Sequence, residues 1–277
     1  MRYKIGFIGG GNMSQAILSG LTAKGSPYEL YVCDRNENKR HFFMETLGVQ
    51  ATHDYREFIE TVDVIVLAIK PQGFPALLAE LKPLIKPHQL ILSIAAGIPI
   101  EAIARGLGQA DNQIAIVRAM PNTPSSIGLG ATGLYGNRAT NDTQKAIVST
   151  LFESCGVITW LQSEALISAV VAVSGSSPAY FFYIMDIMAK VGESMGLDPE
   201  SSLILTQQAM LGAARYSQEA GIPLDTLKKN VMSPKGTTEQ AVFSLERDHL
   251  DEVLQRAMQA AYDRDQVLSK EIGDTIV

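Results

Sequence analysis

Six residues near the start, Gly9-Gly10-Gly11-Asn12-Met13-Ser14, have the types and spacing to grip a pyrophosphate. They follow a short apolar run, open a helical pattern and fit G-x-G-x-x-[G/A], with Ser14 as the small third residue. Gly9 would permit the tight turn, Gly11 would let backbone approach the phosphates, and Ser14 would let helix and strand pack closely. The N–H groups of the first helical turn would then face the anion. About twenty residues on stands Asp34, where an acid would hold the adenosine ribose hydroxyls and favour NAD(H). Arg35 follows at once and could pair with a 2′-phosphate, favouring NADP(H). The balance leans to NADPH, with NADH also usable. Two later strand ends would line the same cleft: Ala68-Ile69-Lys70-Pro71 and Ile94-Ala95-Ala96-Gly97. Lys70 could meet a phosphate or ribose, while Ala95, Ala96 and Gly97 would let a flat ring lie close to backbone.

Three further segments carry polar residues in rigid settings. Arg118-Ala119-Met120-Pro121-Asn122-Thr123-Pro124 follows a strand, and its Asn122 could position a nicotinamide or a substrate. Ser174-Gly175-Ser176-Ser177-Pro178-Ala179-Tyr180 reads as the capped start of a helix. Ser233-Pro234-Lys235-Gly236-Thr237-Thr238-Glu239-Gln240 gives Thr237 and Gln240 capping-box spacing. The helix start at Gly236, Thr237 and Thr238 would offer a second anion site, suited to a substrate carboxylate. No histidine falls in any of these segments: His41, His53, His88 and His249 are expected on helices or loops outside the cleft. No nucleophile elbow or metal cluster is visible. Oxidising an alcohol usually needs a base poised near neutral pH. Reducing an already polarised C=N bond needs mainly orientation and charge complementarity.

The elements that must position these residues alternate through the first part of the chain. Short runs rich in Val, Ile and Leu predict strands at 4–8, 30–33, 62–68, 89–94 and 114–119. Helical patterns at 13–23, 37–47, 54–61, 74–84 and 100–107 lie between them. Strands at 131–135 and 156–161 flank a helix at 142–155. The pattern predicts a Rossmann domain over residues 1–162, with a doubly wound, mainly parallel α/β sheet. From 163 to 277 the strand signals vanish and an all-α domain is expected, with helices at 164–173, 179–195, 199–220, 224–231, 238–247 and 250–270. Residues 179–195 and 203–214 are apolar around most of the helix circumference and must be covered on several sides. A second subunit is the expected cover, in a homodimer.

The composition fits this picture. The chain has 277 residues, 46% hydrophobic and 19% charged, which excludes disorder and disulfide-stapled miniatures. A net charge of −6 without a Lys/Arg-rich tract argues against nucleic-acid or membrane-surface partners. Cys33 and Cys155 have no metal-type spacing, and a reduced cytoplasmic setting is expected. No run reaches the roughly 18 uninterrupted apolar residues of a membrane span.

Taken in order, these blocks resemble the pyrroline-5-carboxylate reductases over essentially the whole chain. The blocks at 118–124, 173–180 and 233–238 are the specific ones; those at 5–13 and 68–71 occur in many dinucleotide enzymes. The resemblance implies reduction of 1-pyrroline-5-carboxylate to L-proline with NAD(P)H. It also implies a helical domain that interlocks with its dimer partner, and rings of dimers. It assigns substrate contact to Thr238 and the substrate carboxylate to the Gly236–Thr238 amides. Ser176, Pro178 and Glu164 fall at the pocket, Asn230 near the cofactor, and helices of the neighbouring subunit complete the site. Gly9, Gly10, Gly11, Asn12, Met13, Asp34, Arg35, Ala68, Ile69, Lys70, Pro71, Ala95, Ala96, Gly97 and Asn122 make up the cofactor side. One departure stands out: Lys235 replaces a family glycine and gives up its freedom at positive φ. Three alternatives remain at this level. They are a β-hydroxyacid dehydrogenase, another cyclic-imine reductase, and a non-catalytic NAD(P)-sensing module.

Overall fold

The computed structural model describes residues 2–110 and 112–276. Every expected strand forms. In chain order the first part runs β1 (Lys4–Ile8), α1 (Asn12–Ala23), β2 (Glu29–Cys33), α2 (Glu37–Leu47), β3 (Gln50–Thr52), β4 (Val64–Leu67) and α3 (Phe74–Leu81). It continues through β5 (Leu90–Ser93), α4 (Ile100–Gly106), β6 (Ala115–Met120), β7 (Gly130–Gly136), α5 (Asp142–Glu153) and β8 (Gly156–Trp160). The strands form one sheet in the order β3-β2-β1-β4-β5-β6-β7-β8. All neighbours are parallel except β6 and β7, which pair antiparallel from Val117↔Gly136 to Met120↔Gly133. The order reverses between β1 and β4, so the cleft above their carboxyl ends is the switch point where ligands of such sheets bind.

Strands β1, β4 and β5 are apolar on both faces because helices cover both. Phe7, Val66 and Leu92 face one layer of helices; Ile65, Leu67 and Ile91 face the other. Two sequence expectations fail locally. β3 is a Gln-Ala-Thr strand with no apolar period, and the helix expected at 54–61 is only a 3₁₀ turn, Tyr55–Glu57. There the Asp54 carboxylate accepts the Arg56 N–H at 2.9 Å, a turn-forming side-chain bond that competes with helix.

The helical part comprises α6 (Leu166–Val170), α7 (Ser177–Ser194), α8 (Pro199–Ala220), α9 (Leu224–Asn230), α10 (Thr237–Arg247) and α11 (Leu250–Gly273). The break expected between 173 and 179 is absent. Residues Val171–Gly175 form a π turn that joins α6 to α7. Ser176 N–H donates to the Val171 carbonyl at 2.8 Å, so α7 has no separate capped start.

The chain condenses into two compact units, residues 1–176 with 261–277, and residues 177–260. The expected division at 162/163 follows element type instead. Residues 163–176 pack on the sheet, with the Val170 side chain over Gly133 of β7. The end of α11 joins them: Ser168 Oγ donates to buried Asp265 at 2.8 Å. Arg105 donates to the carbonyls of Ile276 at 2.8 Å and Gly273 at 2.7 Å.

Within the second unit α7 and α8 cross closely. Ser202 Oγ donates to the Ala189 carbonyl at 2.7 Å and sits against Gly192, where any side chain would collide with it. The outer faces stay apolar and exposed, including Phe182, Tyr183 and Ile204. Among the described residues one helical stretch, Leu166–Ser194, is long and apolar enough to cross a membrane by length and composition alone.

Arg105→Met removes both anchors of the C-terminal turn. The expected cost is about 1–2 kcal/mol in urea unfolding. Amide exchange should accelerate at residues 274–276 while the strand amides keep their protection.

Candidate active site

The glycine turn is built as the residue types require. Gly9 takes φ +106°, and a Cβ there would strike the Ala68 carbonyl, so no other residue fits. Its N–H donates to the Cys33 carbonyl at 2.9 Å and its carbonyl accepts from Ser14 Oγ at 2.6 Å. Ser14 is fully buried, so it both packs and ties the turn. Gly11 is the N-cap of α1, with φ −76°, no side-chain cap, and open space where a Cβ would point. Asn12 and Met13 open the helix. The first-turn N–H groups are therefore open to an anion.

Asp34, just past β2, braces this turn. Its Oδ2 accepts the Gly10 N–H at 2.9 Å and its Oδ1 accepts the Asn36 N–H at 2.8 Å. Arg35 beside it is exposed. Arg40 fixes the segment by donating from Nη1 to the carbonyls of Asp34 and Arg35 at 2.9 and 3.0 Å. A cavity of about 600 Å³ opens here, lined by Gly9, Asp34, Arg35, Ile69 and Lys70 among others. That is within the range of small-molecule sites. Gly10, Ala68 and Pro71 adjoin these lining residues in the chain, and Gly11 lies two residues beyond Gly9.

Sequence reading missed the far wall. His53, Tyr55 and Arg56 line the cavity, although His53 was expected outside it. The pairing of β3 with β2 brings them there. Arg56 lies 5.3 Å from the Tyr55 ring centroid and donates to Glu80 at 2.9 Å. Tyr55 OH donates to the same carboxylate at 2.6 Å, and burial together with this bond raises its pKa above the usual phenol value. Burial, with the Asp54 charge, likewise raises the Cys33 thiol.

The loop carrying Ala95, Ala96 and Gly97 leaves β5 at Ser93. Ala95 and Gly97 are buried and Ala96 is exposed. Gly97 takes φ +71°, with Leu268 and Ile272 of α11 against it at 3.3–3.5 Å from a built Cβ. Asn122 is engaged at both ends: Nδ2 donates to the Ser174 carbonyl at 3.0 Å and Oδ1 accepts from Ala131 N–H at 2.9 Å. It clamps loops together here. Glu164 is engaged too. Its Oε1 accepts from Arg118 Nη1 and from the Ile100 N–H, each at 2.8 Å. Arg118 is only 5% exposed, and removing one partner of a buried pair costs about 3–5 kcal/mol, less here because Glu164 reaches solvent.

In the second unit Pro178 is the second residue of α7, and Asn230 ends α9, exposed. Gly236 is the N-cap of α10, and Thr237 and Thr238, both exposed, begin it. The expected Thr237/Gln240 capping box does not form. The cap is one residue earlier, and Glu239 Oε2 instead accepts the Lys235 N–H at 2.7 Å. Lys235 keeps the glycine-like path by adopting φ +61°. That left-handed conformation carries a local cost of order 1 kcal/mol.

The doubly wound sheet, the open glycine turn and the acid–base pair after β2 define a dinucleotide-dependent oxidoreductase. Residues 4–97 match the family described as NADP oxidoreductase, coenzyme F420-dependent. Residues 164–268 match the pyrroline-5-carboxylate reductase dimerisation family. The chain belongs to the pyrroline-5-carboxylate reductase family. It is 38% identical to the enzyme of that name from Pseudomonas aeruginosa, over 98% of each chain. The Coxiella burnetii reductase structure is similar at TM-score 0.91 and 40% identity, covering 97% of this chain and 99% of that one. A Plasmodium falciparum pyrroline carboxylate reductase, solved with NADP bound, matches at TM-score 0.83 and 28% identity over 96% and 98%. The dimerisation match spans the apolar 166–194 stretch, which supports self-association of the chain.

Gly9→Ala and Gly11→Ala should separate folding from binding. The first is expected to destabilise by about 2 kcal/mol or more. The second should leave the melting temperature nearly unchanged yet weaken NADPH binding at least tenfold, read by nucleotide fluorescence.

Proposed function

We propose that the chain reduces 1-pyrroline-5-carboxylate to L-proline, with NADPH as the preferred reductant and NADH also accepted. The observation that carries this reading is the near-full-length likeness to pyrroline-5-carboxylate reductases. The bound dinucleotide supplies the hydride. The chain's own residues supply placement. The α1 N-terminus holds the pyrophosphate, Asp34 keeps the glycine turn open to it, and Arg35 meets the 2′-phosphate. The loop Ala95-Ala96-Gly97 backs the nicotinamide, with Ile69, Lys70 and Asn230 assigned to the cofactor as well.

We assign the substrate carboxylate to the helix start at Gly236, Thr237 and Thr238. Gly236 N–H already donates to the Ser233 carbonyl at 2.8 Å, so the open donors, which no side chain caps at the start of α10, are those of Thr237 and Thr238. The Thr238 hydroxyl is assigned to the ring nitrogen, where it aligns the C=N bond; the nitrogen takes one proton from solvent before hydride adds to carbon, and the secondary amine results. Ser176, Pro178 and Glu164 bound the ring. A cyclic imine that is already protonated accepts hydride readily, so orientation supplies most of the rate.

The chain acts as a homodimer through the 164–268 segment, and we place rings of dimers and a cytoplasmic location with this reading. Both thiols are free, consistent with a reducing compartment. A β-hydroxyacid dehydrogenase reading fares worse. Its helix needs a lysine soon after Gly175, and the first lysine there, Lys190, is paired with Asp186 at 2.7 Å.

The test is NADPH oxidation at 340 nm with and without the cyclic imine. Imine-dependent oxidation is expected; none would refute the reading. Thr238→Ala should lower kcat/KM at least tenfold, about 1.4 kcal/mol. A change under twofold would remove Thr238 from the reaction. Arg35→Ala should raise KM for NADPH about tenfold and leave NADH within twofold.

A further inference from the structure

We propose that Arg118 is a positioning residue for hydride transfer, acting through Glu164 on the loop that backs the nicotinamide. The inference rests on the reading of Ala95–Gly97 as that loop. Its geometry lies wholly within the sheet unit. Ile100 is the first residue of α4, and its N–H belongs to the helix start that no intrahelical carbonyl can serve. Pro99, the N-cap, offers no side-chain acceptor. The acceptor instead comes from Glu164, 64 residues away, at 2.8 Å. The same oxygen, Oε1, accepts from Arg118 Nη1 at 2.8 Å.

Arg118 rises from β6, in register with Ser93 of β5, the residue from which the loop departs. One carboxylate oxygen thus ties the loop's far end to the strand beside its near end. On the loop's other side Gly97 rests on Leu268 and Ile272, and Pro99 lies near Gly273. The loop is held at both ends and underneath, and Ala96 alone faces out. Hydride transfer falls steeply with misplacement of the reacting atoms, on the order of a hundredfold per ångström. A guanidinium that fixes this loop controls the rate of transfer without touching cofactor or substrate.

The experiment uses the full-length protein, Arg118→Lys, Glu164→Gln and the double variant. Binding of NADPH is read by fluorescence, and single-turnover oxidation of bound NADPH by saturating imine by stopped flow. Each single variant should bind NADPH within threefold of the unmodified protein, while the single-turnover rate constant falls at least tenfold. The double variant should be no slower than the worse single, because both act through one tie. Lysine, which restores one donor, should retain more rate than Arg118→Met, provided Arg118→Met shows a cooperative thermal transition. A loss of burst amplitude with an unchanged rate constant would mean a structural role only and overturn the proposal. So would a defect confined to KM for the imine, or NADPH affinity falling in step with rate. If the unmodified protein shows no imine-dependent oxidation, the proposed reaction fails first and the positioning role with it; normal unmodified turnover with unaffected variants overturns the positioning role alone.

Discussion

A helix start must stay open to an anion while it is packed among three strand ends. Nearly everything in the sheet unit follows from that demand. Only a residue without Cβ can sit at Gly9, between the Ala68 carbonyl and the Cys33 carbonyl, at φ +106°. Asp34 meets the turn from the side by accepting the Gly10 N–H, and Ser14 closes it from below. The orphan N–H groups of α1 are then left without a side-chain cap, and a cavity lined by Gly9, Asp34 and Arg35 lies beside the turn. Asp34 is engaged with backbone, which leaves exposed Arg35 as a cavity-lining cation for the proposed reading of the ribose substituent.

The same economy appears at the carboxyl end of β5. A loop of small residues is stiffened by neighbours distant in sequence: Glu164 from the segment after β8, and Leu268 and Ile272 from α11. The C-terminal turn returns to Arg105 of α4, so the chain's end is part of the scaffold for its beginning. The helices between, α7 to α10, present exposed apolar side chains within the segment that matches the dimerisation family.

The parallel strands were legible because burial on both faces writes an uninterrupted Val/Ile/Leu run. The glycine turn was legible because its geometry tolerates few residues. β3 was not, since Gln50-Ala51-Thr52 carries no periodic signal and forms by pairing with β2. With it went the cavity wall at His53, Tyr55 and Arg56. The π turn at Val171–Gly175 was hidden by Gly175 and Pro178, which locally read as a helix break. The roles of Arg118 and Glu164 depend on a contact 46 residues apart, which no local pattern records. At Lys235 the loss of a glycine left the loop's path open, and the structure takes it through φ +61° with the Lys235 N–H held by the Glu239 carboxylate.

The central claim is that a dinucleotide seated on the glycine turn and an amino-acid carboxylate seated on the α10 start are brought into hydride contact. The most direct test is a crystal structure of the protein with oxidised NADP and L-proline. The account predicts the nicotinamide ring against Ala95-Ala96-Gly97, the proline carboxylate on the amides of Thr237 and Thr238, and proline C5 facing nicotinamide C4. Proline ordered elsewhere, with the α10 start bare, would contradict it.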